Sequence, residues 1–166
     1  MIKDKKGFSL VELLLYISLA GLLFFALFSF LVIAFSGRIK SQAISEAEQQ
    51  GSQIVQAITQ AIRNADSITS PTPGTSGASL TLAYTDIAKN PTVLTLSNNI
   101  VSIKLGASNP VPLNSSRVLV SGLTFSNLSQ PGTPGMIRTA FTINTSTSTK
   151  QEFNYVKNFT ASAAIR

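Results

Sequence analysis

The stretch KKGFSLVELLLY, residues 5–16, decides the fold because it joins a short basic leader to a long apolar run. Residues 13–37 are 25 positions without a formal charge. As a helix this run extends about 37 Å, which is enough to cross a hydrocarbon core of about 30 Å. Glu12 stands at the start of the run, where an ionised carboxylate facing lipid is costly without a partner. The position of Glu12 therefore indicates that its carboxylate has a partner.

The composition excludes several kinds of site. The 166 residues include no cysteine and no histidine, so zinc sites of the usual type, thiol nucleophiles and Ser-His-Asp triads are ruled out. The sequence predicts no metal and no cofactor. The net charge is +6, and the basic residues from Arg38 to Arg166 are scattered, which is typical of a solvated surface. Nucleic-acid binding stays open, but the charge pattern does not support it.

Two common interpretations of the N-terminal segment do not explain Glu12. A cleaved secretory signal has an apolar stretch of about 7–15 residues, which is shorter than this run, and Glu12 would lie inside it. A plain membrane anchor explains the length, and Lys3, Lys5 and Lys6 then favour a cytoplasmic N-terminus, but Glu12 stays unexplained. For Glu12 itself a purely structural role is also available: it can belong to a capping box, since the residues from Ser9 to Glu12, SLVE, fit the pattern S-x-x-E. A carboxylate in the first turn also gains from the helix dipole.

Taken together, these features resemble the processing signature of type IV prepilins and type II secretion pseudopilins. That signature combines a basic leader, a glycine before the cut, a phenylalanine after it, a glutamate fifth in the mature chain and an uninterrupted apolar run. Here the matching residues are Lys3, Lys5, Lys6, Gly7, Phe8 and Glu12. The resemblance in sequence covers the leader and the apolar run. Beyond them, only the predicted architecture is similar to that of the family.

The resemblance implies a pathway of processing and assembly. A prepilin peptidase would cut between Gly7 and Phe8 on the cytoplasmic side and N-methylate the Phe8 amine, a cation at neutral pH. Glu12 would then pair with the amine of a neighbouring subunit in an apolar filament core. The implied partners are the peptidase, other pilin or pseudopilin subunits, an inner-membrane assembly platform and, before assembly, membrane lipid. The implied location is a single pass of the inner (cytoplasmic) membrane, N-terminus inside and head outside, and then a pilus or pseudopilus filament.

The predicted fold class is α+β, with a long N-terminal helix packed on a C-terminal antiparallel β-sheet in a pilin-like lollipop. Between residues 39 and 65 apolar and small side chains recur every three or four positions, which predicts an amphipathic helix. The helix is predicted to run from Phe8 to about Ala65, with Gly37 and Gly51 as weak points. The predicted segments are a leader at 1–7, a transmembrane or filament-core helix at 8–37, the amphipathic half of the helix at 38–68 and a β-rich head at 69–166.

Alternation with period two predicts the strands of the head. Asn98 and Asn99 predict a two-residue hairpin turn, and Gly122 predicts a bulge. The predicted strands lie at 80–84, 94–96, 101–105, 117–125 and 137–143, and a final strand pair or bent strand lies at 153–161.

Departures from the family pattern favour a minor pilin or a J/W-type pseudopilin, built into a tip or priming complex. Ser29 lies where many major pilins carry proline, and the chain has no C-terminal cysteine pair. A major pilin is the runner-up. A membrane-anchored binding module and a membrane-anchored enzyme are less favoured, the enzyme because the carboxylates outside the apolar run include no tight pair. Those carboxylates are Glu46, Glu48, Asp66, Asp86 and Glu152.

Overall fold

The computed structural model describes residues 9–130, 133, 135–145 and 155–166. The chain divides into two compact units, Met1–Ser41 and Gln42–Arg166. One helix, α1, spans Leu10–Arg63, and it is followed within the described residues by nine β-strands and a short 3₁₀ helix at Ile87–Lys89. The predicted α+β class, one long helix with antiparallel sheets, is confirmed. The predicted helix start at Phe8 lies outside the described residues.

In the second unit, α1 is amphipathic as predicted. Its buried side chains recur every three or four residues and so form one face. They are Ala43, Ala47, Ile54, Ile58, Ala61 and Ile62. Gly51 lies on the same face, where any Cβ would come within 2.2–2.6 Å of the Phe159 ring. That ring is stacked on Phe141, with 5.3 Å between the centroids. Gly51 is therefore a close-packing position, and the helix continues through it.

The helix ends at Arg63, earlier than the predicted boundary at residue 68. Ser67–Ser70 forms strand β1 instead and pairs antiparallel with a later strand. The reason is local: the Asp66 N–H already donates to the Ala83 carbonyl at 3.0 Å, so the chain has joined the sheet there. Ala65 is buried, which continues the apolar periodicity beyond the last helical turn.

The head contains two antiparallel sheets where the sequence predicted one. The first has the order β1-β3-β4-β5-β6. Its further strands are β3 (Ser79–Ala83), β4 (Thr92–Ser97), β5 (Ile100–Leu105) and β6 (Val111–Pro112). The second sheet has the order β2-β7-β8-β9. Its strands are β2 (Ser76–Gly77), β7 (Val118–Asn127), β8 (Met136–Thr145) and β9 (Val156–Ala164). Both sheets and the inner face of α1 contribute to one hydrophobic core.

The predicted turn and bulge are both confirmed. Asn98 and Asn99 join β4 to β5 with φ angles of 50° and 63°, the left-handed conformation that a tight hairpin turn requires. Gly122 has a φ of 63° and lies where the register of β7 on β8 shifts, between Ser121 and Thr124. The last strand, β9, pairs with β8 without a shift. The predicted strand start at Phe153 lies outside the described residues.

A buried amide, Asn114, joins the two sheets. Its Oδ1 accepts from the Val101 N–H on β5 at 2.7 Å. Its Nδ2 donates to the Val118 carbonyl on β7 at 2.8 Å and to the Asn99 carbonyl at 3.2 Å. The side chain is only 7% exposed. It therefore satisfies the Val101 N–H and the Val118 carbonyl, which belong to buried residues.

Asn114→Ala should lower the free energy of unfolding by about 2–3 kcal/mol, because a buried donor or acceptor without a partner costs about 1–3 kcal/mol. The measurement is urea unfolding of the full chain in detergent micelles, followed by tyrosine fluorescence. Asn109→Ala is the matched control, since Asn109 is exposed, and it should unfold like the parent. Equal stability of the two variants would contradict the structural role of Asn114.

Candidate functional site

The apolar part of α1, in the first unit, is exposed. Its large apolar side chains between Leu10 and Phe35 are each between 49% and 73% exposed. Among the described residues, α1 is the one helix long and apolar enough to cross a membrane, judged by length and composition. A helix that is apolar on all faces is stable in lipid or in the apolar core of an assembly, and not in water.

Glu12 lies in the first turn of α1, where it is exposed. The Tyr16 hydroxyl donates to Glu12 Oε1 across a long 3.4 Å, at the i,i+4 spacing that places side chains on one face. The Leu13 N–H donates to the Ser9 carbonyl at 3.1 Å, so Ser9 immediately precedes the helix. A hydroxyl donor at this long distance makes a weak hydrogen bond and brings no opposite charge to the carboxylate. Sequence reasoning missed Tyr16, although its four-residue spacing from Glu12 indicated the contact.

The predicted processing residues lie outside the described residues. They are Gly7 and Phe8 at the cleavage point, with Phe8 as the methylation site, and the leader cations Lys3, Lys5 and Lys6. Cleavage and methylation therefore stay predictions. At the other end of the apolar run, Arg38 and Lys40 are exposed.

The carboxylates outside the apolar run that the structure describes all accept hydrogen bonds from protein groups. Glu46 accepts from Gln50, Glu48 from Lys157 and Tyr155, Asp66 from the main chain and hydroxyl of Thr85, and Asp86 from Ala88 and Lys89. The backbone hydrogen bond from Ala88 is the main cause that lowers the pKa of Asp86. The Glu46 contact lies along α1, and the others cap a turn or join separate elements. Glu152 lies outside the described residues.

A cavity of about 590 Å³ lies between the end of the helix and the first sheet. Apolar side chains, including Ala61, Ile103 and Leu105, line much of it. Tyr84 also lines it and donates from its hydroxyl to the Ala61 carbonyl at 2.5 Å. Burial raises the pKa of the Tyr84 phenol, so the phenol stays neutral and ties β3 to the helix. Asp66 also lines the cavity, and its carboxylate accepts a hydrogen bond from the Thr85 hydroxyl. Asp66 therefore also has a structural role.

An exposed ion pair between Glu48 and Lys157 connects α1 to β9. Lys157 Nζ lies 2.6 Å from Glu48 Oε1, and the Tyr155 hydroxyl donates to the same oxygen at 3.2 Å. The hydrogen bond and charge of Lys157 hold the pKa of Glu48 below its ordinary 4.5, and the hydrogen bond with Glu48 raises the pKa of Lys157 above 10.5. Lys157 also lies 5.6 Å from the centroid of the Phe159 ring.

The ion pair predicts a pH dependence of stability. Because the pKa of Glu48 is lower in the folded state, its contribution is present above pH 4.5 and is lost as pH falls through the folded pKa. Glu48→Gln should therefore flatten the loss of stability below pH 4.5, and Lys157→Met should remove most of the same slope. The measurement is thermal unfolding of the full chain in micelles across that range. Identical acid slopes in the parent and Glu48→Gln would contradict the assignment.

Neither a protein-family model, nor a curated protein, nor a solved structure matches this chain. What the chain does is therefore inferred from its own residues and their geometry.

Proposed function

We propose that this chain is a non-enzymatic, pilin-like structural subunit of a type IV pilus or of a related secretion or DNA-uptake machine. The observation that carries the proposal is the first part of α1, an exposed apolar helix that keeps the carboxylate of Glu12 in its first turn. In a plain anchor a first-turn carboxylate brings only the gain of a helix cap, about 1 kcal/mol, whereas a carboxylate that faces lipid is costly. A subunit that assembles through its N-terminal helix needs that carboxylate to meet a neighbour's amine.

The proposed pathway uses the N-terminal residues in sequence. Lys3, Lys5 and Lys6 hold the leader on the cytoplasmic side of the inner membrane. Prepilin peptidase cuts between Gly7 and Phe8 and methylates the new amine, which stays cationic at neutral pH. The assembly platform then moves the subunit from lipid into the filament. There the apolar helix is covered by neighbouring helices, and Glu12 is neutralised by another subunit's amine.

The head fits a structural role. Its described carboxylates are occupied with turns, strand ends and the ion pair between Glu48 and Lys157. Its core draws on both sheets and on the helix face, which suits a structural module. The head is then the part that meets other proteins. Ser29 and the absence of a C-terminal cysteine pair favour a minor, tip or priming position.

Mass spectrometry of the chain from host cells that possess a prepilin peptidase tests the proposal. The mature protein should begin at N-methylated Phe8; an intact Met1 end in such cells would overturn the proposal. Quantifying the chain in sheared filaments then tests the subtype. A minor subunit should be substoichiometric, whereas dominance in the filaments would identify a major pilin.

A further inference from the structure

Three of the four sheet edges in the head are short, irregular or covered by other residues. β1 has four residues and an irregular register, and β6 has two, one of them Pro112. On the second sheet, β2 covers two residues of β7. Further along β7, Asn99 exchanges hydrogen bonds with Val120 at 3.0 and 3.1 Å, and Asn114 binds the Val118 carbonyl. Short, irregular, proline-bearing or covered edges resist pairing with other chains.

The fourth edge, β9, has none of these protections among the described residues. It spans nine residues with a regular register and without proline. The Thr145 N–H donates to the Tyr155 carbonyl and the Ile165 N–H to the Gly135 carbonyl, so odd-numbered positions of β9 bond to β8. The even-numbered positions therefore turn their N–H and C=O groups to the open side. They are Val156, Asn158, Thr160, Ser162 and Ala164.

Two arginines stand at the end of this open edge. A cavity of about 380 Å³ is lined by Arg63, Ala164, Ile165 and Arg166, and one of about 420 Å³ by residues that include Val55, Thr59 and the same two arginines. Both arginines are exposed, and neither makes an ion pair with another described residue. A strand added beside β9 would therefore end next to two guanidinium groups.

We propose that β9 is the docking edge for an extended, acidic segment of a different protein, which adds a strand to the second sheet and places carboxylates against Arg63 and Arg166. Main-chain hydrogen bonds to the open N–H and C=O groups supply the affinity, and the arginines supply the charge selection. A second copy of this chain fits poorly, because its own β9 carries no aspartate or glutamate to meet the arginines. The proposal goes beyond filament assembly, since it involves only the head.

The test uses the full chain in detergent micelles and two probe peptides. Each peptide alternates threonine with valine; one carries two aspartates at each end and the other two lysines. Amide hydrogen exchange by NMR should show that the acidic peptide slows exchange at Asn158, Thr160 and Ser162 by at least about tenfold. The lysine peptide should bind at least about fivefold more weakly.

Two variants make the test specific. Thr160→Pro removes an N–H that faces the open side and leaves the bonds to β8 intact, so it should abolish protection by the acidic peptide. Thr160→Val is the matched control and should bind like the parent, because it keeps the N–H. If Thr160→Pro does not fold, the double variant Arg63→Gln, Arg166→Gln gives a second measurement and should lose the preference for the acidic peptide.

Three results would overturn the proposal. One is an acidic peptide that leaves exchange at the even-numbered positions of β9 unchanged at millimolar concentration. Another is equal binding of the acidic and basic peptides to the parent chain. The third is protection of the same amides by the chain alone as its concentration rises, which would make a second copy the occupant.

Discussion

Gly7→Leu should leave the full chain uncut in the membrane, with the Met1 end still present. A protease must hold the residues around the scissile bond in an extended backbone, and glycine offers no side chain to obstruct that approach. Leucine at the residue before the cut should therefore abolish processing. The measurement is intact-protein mass spectrometry of membranes from cells that possess the peptidase. Gly21→Ala is the matched control, because a Cβ at Gly21 meets nothing within 4 Å, and it should be processed like the parent.

The same experiment separates the competing interpretations of the N-terminus. A secretory signal cut after the small residues Ala20 or Ala34 would give a chain that starts at Gly21 or Phe35, and Gly7→Leu would not change that start. A plain anchor would keep Met1 in the parent as well as in the variant. Normal cutting of Gly7→Leu at the Phe8 bond would show that glycine is not the determinant of cleavage.

The sequence predicted the features of this fold that depend on neighbours along the chain. The buried face of α1 follows a period that is visible in the sequence itself, and Ile54, Ile58 and Ile62 are buried as expected. The hairpin at Asn98–Asn99 was predictable for the same reason, because two residues in the left-handed conformation suffice to make it.

The division of the head into two sheets could not be predicted in this way. Strand pairing joins segments far apart in sequence, and the short strands β1, β2 and β6 carry too few residues for an alternating pattern to be visible. Asn114 is the clearest case: its role exists only because the fold brings Val101, Val118 and the Asn99 carbonyl around one amide. Nothing next to Asn114 in the sequence indicates those partners.

The residues of the candidate sites also differ in whether the sequence alone could identify them. Glu12 was found from the sequence because a charge at the edge of an apolar run is conspicuous without any structure. The open edge of β9 was missed, because alternation identifies a strand but not its position within a sheet. Arg63 and Arg166 are likewise isolated cations in the sequence, and only the fold places both around the same cavities.

Glu12→Ala should permit cleavage at Gly7 but prevent incorporation into filaments. Under the proposed function the peptidase acts on the precursor around Gly7 and Phe8. Assembly would instead take the subunit out of lipid and require the Glu12 carboxylate to meet a neighbour's amine. Removing one partner of a buried ion pair costs about 3–5 kcal/mol, because the surviving charge is left uncompensated. Since each 1.4 kcal/mol is about tenfold in an equilibrium, incorporation should fall by more than about a hundredfold. The measurement compares mature protein in sheared filaments with mature protein left in membranes.

Two further variants decide whether pairing or helix capping explains Glu12. Tyr16→Phe removes the hydroxyl that donates to Glu12 but keeps the carboxylate, so under the pairing hypothesis it should assemble like the parent. Glu12→Gln keeps the shape and loses the charge, and should recover assembly only in part through hydrogen bonding. Capping makes a different forecast, since losing a cap costs about 1 kcal/mol of helix stability, which a long apolar helix in lipid tolerates. Glu12→Ala that enters filaments as well as the parent would therefore reject the pairing role and leave Glu12 as a residue of the helix start.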